Sequence, residues 1–335
     1  MLESILKMRT EERLDNAVVK ELFDAYCQLG IFTRVSEILE TVSQEKREPI
    51  IHTLGSHVTK EKPVLVYSVL KSIDERSGEK ASQAAAVVDL LWSLSLIYDD
   101  MLDQDLKRSG LPSAWVQFGS DEAYKSSYAG FEAVKQMSDL RFGEGSSKQI
   151  DKFVGTGLGS LKAHRELKPG VSVGELLNNY RQRALFHCAL PFVLINQEPN
   201  IDNKGFLAIE NVNLAGQILN DLKDVSPKYI WLRDSFSDMR SGVMSVPFAI
   251  LLKKLLGEDR AKILGLFGQG QVLENDKQSV IDAFTQSGAL ADSIKLTKDI
   301  YETSLSQFRL VLSTQFYVYA EKWIGYKLQQ LGDLI

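Results

Sequence analysis

The sequence predicts an all-α protein, a single large helical bundle in which residues 1–335 form one domain. Apolar residues recur at three- and four-residue spacing along most of the chain, the period of a helix with one buried face. Alternating apolar and polar runs bounded by turn residues, the mark of half-buried strands, are almost absent. The interruptions Gly110-Leu111-Pro112, Gly143-Glu144-Gly145, Lys168-Pro169-Gly170 and Glu198-Pro199-Asn200 are short and carry turn chemistry rather than linker composition.

In chain order, helices are predicted over about residues 12–43, 46–57, 62–75, 80–105, 119–139, 146–165, 172–195, 204–224, 244–256, 258–266, 275–287 and 288–331. The fourth sets the architecture. Its stretch 81–98, ASQAAAVVDLLWSLSLIY, is apolar on nearly all sides with Asp89 as its sole charge, so it belongs at the centre of the bundle. No fixed-period repeat or low-complexity tract divides the chain.

Composition narrows the function classes. With 44% hydrophobic and 25% charged residues the chain reads as soluble and globular, and no run approaches the roughly 18 apolar residues of a membrane span. A net charge of −5 provides no basic stripe for nucleic acid. Cys27 and Cys188 are too far apart in sequence to suggest a disulfide framework or zinc site, which fits a reducing, cytoplasmic setting. The N-terminus mixes acids and bases from residue 3 onward, unlike a signal peptide. His52, His57, His164 and His187 form no metal-ligand spacing, no phosphate-binding glycine loop is present, and GQGQ at 268–271 reads as a turn.

The chemistry is concentrated where the central helix ends, at DDMLD. Asp99 and Asp103 are four residues apart, on one face, with Asp100 beside them. Like charges at that spacing repel by a few tenths of a kcal/mol in water and more where water is sparse. A cation between them relieves this, and oxygen ligands that leave room for water suit Mg²⁺, which takes one or two carboxylates plus substrate phosphates. About 120 residues on, a second apolar helix ends in GQILNDLKD, where Asn220 and Asp224 repeat the spacing with Asp221 between them. Two such helix ends facing each other would grip a metal-diphosphate cluster. For one motif alone, a solvated helix end is the plain alternative.

In order and spacing these motifs resemble the trans-isoprenyl diphosphate synthase, or polyprenyl synthetase, superfamily. DDMLDQDLKRSGLPSAWVQFG is similar to its first aspartate motif, basic pair, Gly-x-Pro and Phe-Gly. GQILNDLKD resembles the second motif, with Gln217 kept and Asn220 in place of the first aspartate. SDMRSGVMSVPFAILL aligns Asp238, Gly242, Ser245 and Pro247 with a further family segment, so the likeness runs over residues 55–252. The resemblance implies the isoprenoid synthase fold around a central cavity, a homodimer, and three Mg²⁺ ions held by Asp99, Asp100, Asp103, Asn220, Asp221 and Asp224. It implies ionisation of an allylic prenyl diphosphate, with Asp99, Asp103, Arg108 and Asp224 catalytic. By position Arg108, Arg181, Arg233 and Gln217 would hold the diphosphate, although Arg181 and Arg233 have ordinary surface roles as alternatives.

The departures lie on the side that would bind isopentenyl diphosphate. Thr59, Trp92, Ser109 and Val243 stand where the family has basic residues, with Lys60 and Lys62 as partial substitutes. Each lost charge-assisted hydrogen bond is worth roughly 1.5 to 3 kcal/mol, so ordinary elongation is not expected. Prenyl transfer to another acceptor is the leading reading. A terpene cyclase, an ordinary elongase and a non-catalytic partner subunit are the alternatives. Trp92 could face a carbocation or serve as a core tryptophan. Leu94 and Ser95, just before the first motif, put no aromatic floor in the pocket, which implies a substrate of fifteen carbons or more.

Overall fold

The computed structural model describes residues 16–56, 59–196, 203–226, 228 and 236–334. Within them the chain is helical almost throughout. The first five helices are α1 (Ala17–Gln28), α2 (Ile31–Glu40), α3 (Gln44–Ser56), α4 (Glu61–Ile73) and α5 (Gly78–Asp103). A two-residue hairpin follows, β1 (Lys107–Arg108) with β2 (Leu111–Pro112). Then come α6 (Ala114–Phe118), α7 (Ser120–Phe142), α8 (Ser146–Arg165), α9 (Val173–Arg183), α10 (Leu185–Cys188), α11 (Leu190–Leu194) and α12 (Lys204–Asp224). The chain closes with α13 (Ser237–Ser241), α14 (Val246–Lys254), α15 (Gly257–Gly265), α16 (Glu274–Gln286), α17 (Ala289–Val311) and α18 (Thr314–Gly332).

Three predicted helices are broken. The first parts at Gly30, whose φ of 72° is left-handed and whose N–H donates to the Cys27 carbonyl at 3.1 Å, a helix stop that glycine makes without strain. The predicted 172–195 helix becomes α9, α10 and α11, with Pro191 in the first turn of α11, where its missing N–H costs no hydrogen bond. The last helix parts at Leu312, which is extended. The hairpin was not anticipated. Ser109 and Gly110 both have positive φ, 51° and 81°, as a tight two-residue hairpin turn requires.

The central helix is α5, packed against α2, α3, α4 and α7, and α12 pairs with α17 in the second half. Although α5 has the length and hydropathy of a membrane span, contrary to the sequence expectation, 83% of its apolar window is buried inside the protein. Gly130 of α7 lets that helix close on α5, because a Cβ there would lie 2.5 Å from Leu94 Cδ2. Leu94 thus packs against α7 at this close approach.

The sole charge in the middle of α5 is also accounted for. Asp89 is wholly buried, accepts from Tyr26 Oη at 2.6 Å, and lies 3.1 Å from Lys60 Nζ. Lys60 itself is 2% exposed and also donates to the Leu54 carbonyl at 3.3 Å. A buried charge is held this way, by a partner of opposite sign and further hydrogen bonds. Lys60 is therefore structural rather than a substrate lysine.

Candidate active site at the ends of α5 and α12

At its C-terminus α5 stops because Gln104 turns left-handed, with φ of 56°. The chain then doubles back, tied by Trp115 Nε1 and Ser113 Oγ donating to the Asp105 carbonyl, so that Arg108 on the hairpin returns to the helix it has just left. Arg108 Nε donates to both Asp100 oxygens, at 2.8 and 2.9 Å, and its Nη2 closes the same pair. Asp100 is 1% exposed. These contacts correct two assignments: Asp100 is a buried anchor rather than a metal ligand, and most of the Arg108 guanidinium is used in holding it. Arg108 still lies 3.9 Å from Asp99, close enough to share its charge.

Asp99 and Asp103 keep the open face. Their side chains are 26% and 30% exposed, so both are reachable from solvent. Burial, reinforced by repulsion from Asp99 and opposed by Arg165, pushes the Asp103 carboxyl up to about 6. Burial also raises Asp100, against the pull of Arg108. Two arginines outside the sequence reading complete the surroundings. Arg165, at the end of α8, pairs with Asp103 and donates to the Leu102 carbonyl at 2.9 Å. Arg183, at the end of α9, lies 3.9 Å from Asp99. Arg181, the predicted clamp, instead meets Glu210 of α12 at 3.4 Å. Residues two apart on a helix do not share a face, so only one of this pair could look at Asp99. Arg233 lies outside the described residues.

The second motif is arranged differently from the first. Gln217 Nε2 donates to Asp221 Oδ1 at 2.9 Å, and the buried Tyr180 hydroxyl donates to Oδ2 at 2.7 Å. Asp224 is completely buried. Its Oδ1 accepts from Ser237 N at 3.0 Å and Ser237 Oγ at 2.9 Å, and its Oδ2 accepts from Asp238 N at 3.2 Å. Asp224 therefore anchors the start of α13, which corrects its reading as an open catalytic ligand. Asn220 is exposed.

Helix α9 reaches both motifs, Asp221 through Tyr180 and Asp99 through Arg183. His164 of α8 stacks on Tyr180 with ring centroids 5.4 Å apart, and its Nδ1 lies 3.0 Å from Asn179 Oδ1. Burial, with Arg183 adding to it, lowers His164 to about 4, so it is neutral near pH 7.

Among the described residues, no three Asp, Glu, His or Cys side chains converge into a cation site of their own. Mg²⁺ asks the protein for one or two carboxylates and takes its other ligands from water and substrate phosphate. Asp99 and Asp103 fit this role by their all-oxygen chemistry, exposure and mutual repulsion.

Farther down α5, Trp92 lies seven residues before Asp99, about 10 Å along the axis. Lys62 Nζ sits 3.0 Å from the centre of its indole ring, and His187 packs edge-on at 4.6 Å. Ser95 is half-buried, and its hydroxyl donates to the Trp92 carbonyl at 2.7 Å.

The comparisons with known proteins bear on the family and the fold. The prenyl transferase of Cyanidium caldarium is 22% identical over 289 residues, covering 78% of this chain and 84% of that protein. A polyprenyl synthase from Caulobacter crescentus, solved with calcium and isoprenyl diphosphate, superposes with a TM-score of 0.75 at 13% identity, covering 92% of this chain and 97% of that one. The geranylgeranyl pyrophosphate synthase of Corynebacterium glutamicum, solved with isoprenyl diphosphate and magnesium, superposes with a TM-score of 0.70 at 14% identity, covering 93% and 98%. These superpositions establish the isoprenoid synthase fold. Because the polyprenyl synthetase family model matches residues 44–284, well over half of its length, the chain belongs to the polyprenyl synthetase family.

Proposed function

We propose that this protein binds an allylic prenyl diphosphate with Mg²⁺ at Asp99 and Asp103, ionises it, and passes the prenyl group to an acceptor other than isopentenyl diphosphate. Family membership makes it a prenyl-transferring enzyme acting on allylic diphosphates. The observation that carries the finer reading is the half-buried, solvent-reachable Asp99–Asp103 pair set among Arg108, Arg165 and Arg183. When bound, Mg²⁺ supplies Lewis-acid stabilisation of charge on the departing diphosphate. The arginines then add fixed positive charge around the same oxygens, and Gln217 and Tyr180 fix Asp221 within the second motif. The calcium and magnesium in the related synthases support the choice of metal. We take three ions, a substrate of fifteen carbons or more, a homodimer, one domain over 1–335 and a cytoplasmic setting as parts of this proposal.

The surroundings of Trp92 bear on the alternatives. With Lys62 Nζ 3.0 Å from its ring centre, Trp92 has that face already covered, by an amine that burial lowers to about 7, and this disfavours the cyclase reading. With Lys60 turned into the core, only Lys62 of the two substitute lysines remains near the second-substrate side, which disfavours elongation. The test is incubation of purified protein with Mg²⁺ and geranyl, farnesyl or geranylgeranyl diphosphate, with and without isopentenyl diphosphate, followed by mass spectrometry. Unchanged product length on adding isopentenyl diphosphate is the expected result. A longer prenyl diphosphate would make the protein an ordinary elongase.

A further inference from the structure

Glu61 opens α4 immediately before Lys62 and is only 7% exposed. Its Oε2 is buried and has no hydrogen-bond partner. Carboxylate oxygens withdrawn from water are ordinarily satisfied, so one left open inside a protein calls for an explanation, and a donor arriving with a ligand is one that can be tested. Two lysines stand near it without serving as that donor. Lys62 lies over the Trp92 ring, and Lys327 of α18 lies 4.2 Å from the ring centre of Trp323. Both feel the Glu61 charge, but neither reaches Oε2.

A second acceptor is left open on the neighbouring helix. Asn213 of α12 is 9% exposed; its Nδ2 donates to Cys188 Sγ at 3.3 Å, while its Oδ1 is buried without a partner. Cys188 is in turn within electrostatic reach of Lys62. Lys62 thus lies within electrostatic reach of Glu61 and of Cys188, the partner of Asn213, and the Trp92 ring it covers is about two turns along α5 from Asp99. By the resemblance this is the second-substrate side, since Lys62 stands in the segment where the family has basic residues.

We propose that Glu61 is a specificity-determining residue: its carboxylate receives an N–H or O–H donor of an uncharged acceptor and rejects a second diphosphate. The inference rests on the prenyl-transfer reading above and assigns the chemical class of its acceptor. A diphosphate brought beside a buried carboxylate meets like charge where water is sparse, whereas an alcohol or amide donor satisfies the open oxygen.

The test compares three probes of one carbon skeleton: isopentenyl diphosphate, isopentenyl alcohol and the methyl ether of that alcohol. Binding is measured calorimetrically on the full chain, with Mg²⁺ and non-ionisable farnesyl thiodiphosphate filling the first site. The wild-type protein should prefer the alcohol to the ether, which lacks the donor, and bind the diphosphate least. Glu61→Gln should raise diphosphate affinity by about tenfold or more, and Glu61→Leu should abolish the preference for alcohol over ether. The wild-type comparison decides the matter even if a variant fails to fold. Diphosphate binding as tight as the alcohol, or no preference between alcohol and ether, overturns the proposal. Release of diphosphate from farnesyl diphosphate is measured separately. Its absence would overturn the prenyl-transfer reading, while the probe comparison would still decide what Glu61 binds.

Discussion

Lys60 Nζ lies 3.1 Å from Asp89 in the middle of the bundle, and both side chains are almost completely shielded from water. The pair has Tyr26 as a third member, since its hydroxyl donates to the same carboxylate. Removing one charge alone leaves the other buried, at a cost of about 3–5 kcal/mol, whereas replacing both by apolar groups of similar volume is often close to neutral. Asp89→Leu and Lys60→Met should each lower the urea midpoint sharply, and the double variant should recover most of the loss. A double variant no more stable than the singles would show that the pair is not a closed unit.

Asp103→Asn should abolish turnover without destabilising the protein. Folding holds this carboxyl at about 6, above its ordinary value of 3.8. A folded-state value raised in this way means that the native state binds the extra proton between those two values. The associated stability is therefore present below about pH 4 and is lost as pH rises through about 6. At pH 7 the ionised Asp103 costs on the order of 1 kcal/mol, allowing for solvent at a side chain 30% exposed. The neutral amide should match or exceed wild-type melting temperature at pH 7 in Mg²⁺-free buffer. A clear drop would mean that the Arg165 pairing outweighs the repulsion.

The sequence made the all-α class and the first aspartate motif legible, because an apolar helix ending abruptly in acids is a local signal. It gave no sign of which carboxylates stay open. Asp99, Asp100 and Asp103 look equivalent as letters, yet Asp100 is closed by an arginine brought back through a hairpin that turns on Ser109 and Gly110. Ser109, counted from the sequence as a lost arginine, sits in the left-handed conformation that this turn requires. Asp224 was misplaced for a similar reason, since its partners Ser237 and Asp238 lie beyond the helix and only the fold brings them in. Arg165 and Arg183 were missed because nothing local separates them from surface arginines; Arg183 shows that helical phase relative to Arg181 was the usable clue.

Tyr180→Phe tests the link between α9 and the second motif. The hydroxyl is buried, donates to Asp221 and accepts from Val246 N at 3.3 Å. A hydrogen bond to a charged group contributes roughly 1.5–3 kcal/mol, so a loss of about 10- to 100-fold in kcat/KM is expected. If Tyr180 positions a metal-binding carboxylate, the Mg²⁺ concentration giving half-maximal activity should rise as well. An unchanged Mg²⁺ dependence would reduce Tyr180 to a packing residue.

Acid should unfold the protein partly through His164. Its folded value of about 4 lies below the ordinary 6.5, because burial and Arg183 disfavour the imidazolium. Between those values the unfolded chain binds the extra proton, so stability falls as pH drops from about 6.5 toward 4, by an order of a few kcal/mol. His164→Gln should flatten that part of the stability curve. An identical acid slope in the variant would assign it to other groups.

Arg181 and Arg183 provide the sharpest contrast, because they differ by two positions and by everything they touch. Arg183 stands 3.9 Å from Asp99, where a diphosphate bound with Mg²⁺ would bring its oxygens. Arg181, with a side chain 39% exposed, meets Glu210 on a different face of α9. Arginine is suited to phosphate oxygens by its fixed fork of donors, and losing one such contact costs roughly 1.5–3 kcal/mol. The pair of Arg181 and Glu210 is half-buried, with side chains 39% and 14% exposed, and an ion pair that still reaches solvent contributes about 1 kcal/mol. Arg183→Gln should therefore lower kcat/KM for the allylic diphosphate by about 10- to 100-fold, while Arg181→Gln should change it by less than about fivefold. Diphosphate release from farnesyl diphosphate measures both. If Arg181→Gln proved the more damaging variant, the diphosphate would lie along the face of α9 turned toward Glu210, and Asp99 could not be its anchor.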